Sequence, residues 1–193
     1  MKKQIINIFL LLTMITVCHG EVGLGGGGGL LNPGFSSSSK YGSQFGVGFG
    51  FDLFVRHTIF KPDSLHEIDA RYAFRSYSSD IDLPSNSVTR FDFTYLTVGL
   101  TMDVVRISHI QIYAGPAVSL VTAKAPQRYV NDITESLMIP EIMTGAEWII
   151  NENFNLFAEL GFQFGSVDIT SDILPLNGLR FMIGGTMFLT TRE

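Results

Sequence analysis

From residue 44 to residue 53 the chain changes chemical character at every step. Phe45, Val47, Phe49, Phe51, Leu53 and Val55 share one parity, and Gln44, Gly46, Gly48, Gly50, Asp52 and Phe54 share the other. A period of two is the signature of an extended strand whose faces meet different surroundings. The same alternation recurs along the chain, so it constrains the whole fold. The chain is 46% hydrophobic, yet past residue 20 no apolar run is long enough for a membrane helix. The 16 Phe and 20 Gly fit β-structure better than helices.

Eight strands follow, over about 21–31, 41–55, 65–77, 90–104, 107–122, 137–150, 154–164 and 178–190. In the third, Ile68, Ala70, Tyr72 and Phe74 oppose Glu67, Asp69, Arg71 and Arg75. In the fourth, Phe91, Phe93 and Tyr95 oppose Arg90 and Asp92, and parity then blurs, which a bulge near 97–99 would explain. In the sixth, Ile142, Ala146 and Trp148 oppose Glu141 and Glu147. In the seventh, Phe154 to Phe164 oppose Asn155, Glu159 and Gln163. In the eighth, Leu179, Phe181 and Ile183 oppose Arg180 and Gly184. Connections alternate: 32–40, 78–89, 123–136 and 166–177 are long and polar, while 106–108 and 151–153 are tight. Long and short ends on opposite sides mark a transmembrane up-and-down barrel, with the short turns facing the periplasm.

The N-terminus reads as a secretory signal. Lys2 and Lys3 precede an apolar stretch over 5–17, too short to span a bilayer, and small Gly20 precedes Glu21. Residues 1–20 are therefore expected to be a cleaved signal peptide and 21–193 one barrel domain. Ile15-Thr-Val-Cys18 half matches a lipobox, with bulky Val17 where a small residue normally stands. Cleavage after Gly20 removes the single cysteine, so no disulfide framework remains. The mature chain then carries 11 Lys+Arg against 18 Asp+Glu, a net charge of −7. That argues against a nucleic-acid partner and against a basic peripheral membrane binder.

Which face points outward follows from the residue types. A lumen eight strands wide holds small and charged side chains but not rows of Phe, and a charge-free band matches lipid, where a mid-depth Arg or Lys costs roughly 2–4 kcal/mol. Hydrocarbon also excludes an open sheet edge, so the first strand must pair with the eighth. The expected lumen network is Arg71, Arg75, Arg90 and Arg180 with Asp52, Glu67, Asp69, Asp92, Glu141, Glu147 and Glu159. The expected interfacial aromatics are Tyr41, Tyr77, Phe91 and Phe93 at the outer ends and Trp148 and Phe154 at the inner turn.

With its signal peptide, its eight alternating strands and the stretch Tyr41-Gly-Ser-Gln-Phe-Gly-Val-Gly-Phe-Gly-Phe51, the chain resembles the small OmpA/OmpX-type outer-membrane barrels, often labelled porin-family or outer-membrane β-barrel-domain proteins. The resemblance implies an all-β, eight-stranded antiparallel barrel in the outer membrane, with outer-membrane lipid and the barrel-assembly machinery as partners. Many such proteins end on an aromatic residue that this machinery reads; here Phe188 is followed by Leu189-Thr-Thr-Arg-Glu193.

No chemistry stands out. His57, His66 and His109 fall at the inner ends, leaving the serines of 36–39 without a base, and no HxH or CxxC spacing points to a metal. Gly25 to Gly29 lack the Lys-Ser/Thr and the helix of a phosphate loop. No cofactor is expected. The acidic loops carry no motif that names a ligand. The expectation is a non-enzymatic barrel with a structural or interaction role and a charge-filled lumen. The alternatives, in order, are a small passive pore, a lipid-modifying enzyme and a soluble ligand-binding barrel.

Overall fold

The computed structural model describes residues 21–33, 44–61, 67–82, 88–124, 134–169, 172–175 and 177–189. Its strands are β1 (Val22–Asn32), β2 (Gln44–Phe45), β3 (Gly48–Phe60), β4 (Ile68–Asp82), β5 (Val88–Ile107), β6 (Ile110–Lys124), β7 (Thr134–Asn151), β8 (Phe154–Gln163), β9 (Ser166–Ile169), β10 (Asp172–Pro175) and β11 (Leu179–Phe188). β2 is a short outer continuation of the β3 wall, and β9–β10 form a separate hairpin. The other eight strands pair antiparallel, each with its neighbour, and β1 closes on β11 from Gly23↔Phe188 to Asn32↔Leu179. Closure leaves the wall no free edge, as a hydrocarbon environment requires.

Alternation fixes the two faces. Phe49, Leu53, Val98, Val118, Ile142, Leu160, Phe162 and Ile183 are exposed on the outside, while Asp52, Arg71, Arg75, Glu141, Glu159 and Arg180 are buried inside. The first strand holds its ladder despite five consecutive glycines, because pairing on both sides fixes the backbone without side chains.

Two sequence expectations are corrected here. No bulge lies at 97–99: β4 and β5 stay in register from Val88 to Met102. The irregularity falls at Asp103/Val105 against β6, and beyond it Val104 and Val105 are both exposed. Parity was unreadable at 97–99 because Thr97 and Gly99, though inward, carry no charge. Three of the four long connections are also shorter than expected. β4 runs to Asp82 and β5 starts at Val88, β6 runs to Lys124 and β7 starts at Thr134, and Ser166–Ile169 pairs with Asp172–Pro175 as the β9–β10 hairpin. Hairpin ladders continue past the apolar band because their backbone pairing does not depend on lipid. The expected signal peptide lies outside the described residues.

Candidate functional site

The lumen is built in tiers. At the short-turn end, Lys61 bridges Glu67 at 3.1 Å and Glu21 at 3.5 Å. The next tier holds Arg56, whose Nε lies 3.2 Å from Asp69 and whose Nη1 donates to Glu147. Asn155 donates to the other Glu147 oxygen at 2.8 Å, and Gln111 donates to Asp103. The guanidinium of Arg56 also lies 4.9 Å from the Phe188 ring centre.

Midway along, Arg71 donates to Glu159, which also accepts from the Tyr113 hydroxyl at 2.7 Å. The face of Arg71 stacks on Phe54 at 3.7 Å, and Phe54 meets Phe157 edge-on at 5.5 Å. The following tier centres on Arg180, which reaches Glu159 at 2.6 Å, Glu141 at 2.8 Å and Asp52 at 3.1 Å. Arg75 pairs with Asp52 at 3.0 Å and with Glu141, and Tyr77 donates to Asp52 at 2.6 Å. Outermost is an apolar cap of Leu31, Tyr77, Phe91, Phe93, Tyr95, Val121, Ala123 and Ile139.

Glycines make room for these long side chains. A Cβ on Gly161 would sit 2.2 Å from Glu141 Oε1, one on Gly145 would sit 2.5 Å from the Tyr113 hydroxyl, and one on Gly25 would strike the Phe54 ring at 2.2 Å. Charges removed from water are tolerable only when paired, and each removed partner leaves a costly buried ion. The chain meets that demand with Asp52, Glu141 and Glu159, each shared between two arginines.

The structure brings Arg71, Arg75, Arg180, Asp52, Glu141 and Glu159 into one network, with Asp69 and Glu147 joined through Arg56 and Glu67 tied to Lys61. Arg90 and Asp92 are not part of it. They pair at 3.6 Å on the outer surface with side chains 67% and 64% exposed. The expected girdle is corrected in the same region: Tyr77, Phe91 and Phe93 point inward and are buried. Outside the barrel, the β4–β5 wall passes from Phe74 and Leu96 to Ser76 and Thr94, then to Ser78 and Asp92. Beyond the apolar band the outer solvent is water, so polar residues face out and aromatic ones turn in. Trp148 and Phe154 are exposed beside the inner turn, and Tyr41 lies outside the described residues. Arg56, Asp103 and Tyr113 were missed as network members. Arg56 continues the parity of Asp52 and Phe54, and a strand read one residue further would have included it.

His57 and His109 both lie at the short-turn end, and His66 lies outside the described residues. Among the described residues no group of His, Cys, Asp or Glu is placed to hold a metal ion.

No protein-family model and no curated protein matches the chain. Solved structures do. The outer-membrane protein OprG from Pseudomonas aeruginosa aligns with TM-score 0.64 at 13% identity, over 89% of this chain and 97% of that one. Neisserial surface protein A aligns at 0.58 and 14% identity, over 87% and 95%. The attachment invasion locus protein Ail of Yersinia pestis, solved with a heparin analogue, aligns at 0.54 and 15% identity, over 89% and 99%. At such identities the likeness is one of fold: an eight-stranded transmembrane β-barrel of the outer-membrane type.

Proposed function

We propose that this chain is an integral outer-membrane barrel that neither conducts nor catalyses, and that acts through its structure and its outer surface. The observation that carries the reading is the state of the lumen. The Arg75, Arg180, Asp52 and Glu141 side chains are 0% exposed and bonded to one another across the barrel axis. A conduction path needs a continuous line of water or weakly held sites. Here the cross-section is occupied by ion pairs and, outside them, by the apolar cap. In this reading outer-membrane lipid contacts the apolar face, and the barrel-assembly machinery inserts the chain after the signal peptide is removed.

The test is conductance of the refolded protein in planar bilayers. A quiet baseline is expected across the voltage range, and steady discrete openings would replace this reading with the passive pore. Heat-modifiable gel migration and co-sedimentation with outer membranes check residence independently.

A further inference from the structure

We infer that the inner end of the lumen is a blind acidic well that binds a linear polyamine from the periplasmic side, with the leading ammonium at Asp103. The closed lumen proposed above gives the well its floor, and the inference rests on it. Charge along the lumen is uneven. In the middle tiers Arg71, Arg75 and Arg180 meet Asp52, Glu141 and Glu159, three against three. At the short-turn end Glu21, Glu67, Asp69, Asp103 and Glu147 meet only Arg56 and Lys61 among the described residues. Arg106 and Glu152, exposed on the neighbouring turns, offset each other. Five acids against two bases leave a surplus of three negative charges at this end.

Asp103 concentrates that surplus. It is 3% exposed, it forms no ion pair with a described residue, and its one side-chain hydrogen bond comes from the Gln111 amide. Its backbone N–H donates to the Glu67 carbonyl at 3.0 Å, so Glu67 stands directly across the β4–β5 ladder, also turned inward, with Asp69 next on the same face. Like charges in opposite positions repel, and a carboxylate removed from water needs a counter-charge. The guanidinium of this tier, Arg56, is engaged by Asp69 and Glu147. Two amides indicate what would fill the gap. Gln111 donates to Asp103 and Asn155 donates to Glu147, which leaves Gln111 Oε1 and Asn155 Oδ1 buried and accepting nothing from a described residue. Water can satisfy an orphan oxygen but not a surplus of charge. A ligand that both donates hydrogen bonds and carries positive charge does both.

A bare metal ion fits poorly. It needs several oxygens converged on one point, and among the described residues no group of acids is so placed. An ammonium needs only acceptors about 3 Å from its three N–H groups. Lys61 is the chain's own example, with its ammonium held at this rim between Glu67 at 3.1 Å and Glu21 at 3.5 Å. A linear polyamine repeats that group along a thin alkyl chain, so its charges can follow a surplus that runs from the rim to Asp103.

Spermidine is the probe, titrated by calorimetry into the refolded protein in phosphocholine micelles at low salt. One spermidine per chain is expected. Affinity should fall by about tenfold or more in Asp103→Asn and stay unchanged in Asp92→Asn, on the exposed outer surface. Lys61→Met removes the native ammonium from the rim and leaves Asp103 in place; it should bind about threefold tighter, and it keeps the test decisive if Asp103→Asn does not fold. Heat-modifiable migration reports the folding of each variant. Absence of binding, or unchanged affinity in either folded variant, overturns the well. So does uptake of several spermidines per chain that moderate salt abolishes, which marks diffuse attraction to acidic surface. Displacement by magnesium at matched charge concentration overturns the polyamine as the ligand class. Steady openings in planar bilayers would instead overturn the closed lumen, and the floor of the well with it.

Discussion

Glu159 shows what one lumen side chain does. It accepts from Arg71, Arg180 and Tyr113 at once, and it is 1% exposed. Glu159→Ala leaves Arg71 without a carboxylate partner, so it should destabilise the barrel by about 3–5 kcal/mol. Glu152→Ala, at an exposed turn, should stay within about 0.5 kcal/mol; urea unfolding from vesicles measures both. The glycines of β1 are equally unequal. A Cβ on Gly28 meets nothing nearer than the Gly50 carbonyl oxygen at 3.9 Å, whereas one on Gly25 collides with Phe54, itself held between Arg71 and Phe157. Gly28→Ala should be neutral or slightly stabilising, and Gly25→Ala should cost about 1–3 kcal/mol by overpacking. Alternation in the sequence supplied the inward parity of Arg71 and Glu159. It could not say that Gly25 leaves room for a ring contributed by the neighbouring strand, because that contact exists only once β1 and β3 are in register.

At the scale of a strand, the meaning of each face depends on what surrounds it. β8 alternates exposed and buried over its full length because all of it crosses the apolar band. Leu160→Arg on its outer face should lower stability by about 2–4 kcal/mol, and Thr94→Arg, beyond the band on β5, by no more than about 1 kcal/mol. Folding yield and unfolding midpoint in vesicles distinguish the two. β5 is longer and passes from lipid into water, where its code reverses: Phe91 and Phe93 turn inward, and Arg90 and Asp92 turn out. Sequence reading kept one rule, apolar side outward, along the entire strand. That rule holds while hydrocarbon is outside and inverts where water replaces it, so the misassigned residues cluster at the outer end.

For the whole molecule, the inner rim gives a pH signature. Burial disfavours the Lys61 ammonium, but its hydrogen bond to Glu67 and the charges of Glu67 and Glu21 outweigh that and hold its pKa above the ordinary lysine value. A raised lysine stabilises the folded state fully below the unfolded value, about 10.4, and that contribution is lost as pH rises through the raised folded value. Thermal unfolding scans should therefore show a small alkaline loss of stability that Lys61→Met lacks, the two converging at the highest pH. The effect is modest because Lys61 is partly exposed. The sequence by itself determined that the chain is all-β, that eight strands close into one wall, and which face meets lipid, because a period of two is a local property and apolar rows do not fit a narrow lumen. Only the tertiary structure decided which charge pairs with which, where lipid gives way to water, and that Arg56 and Tyr113 complete the network while Arg90 and Asp92 leave it. Those outcomes depend on register and shear, which set neighbours far apart in sequence, as for Arg180 and Asp52 at a separation of 128 residues.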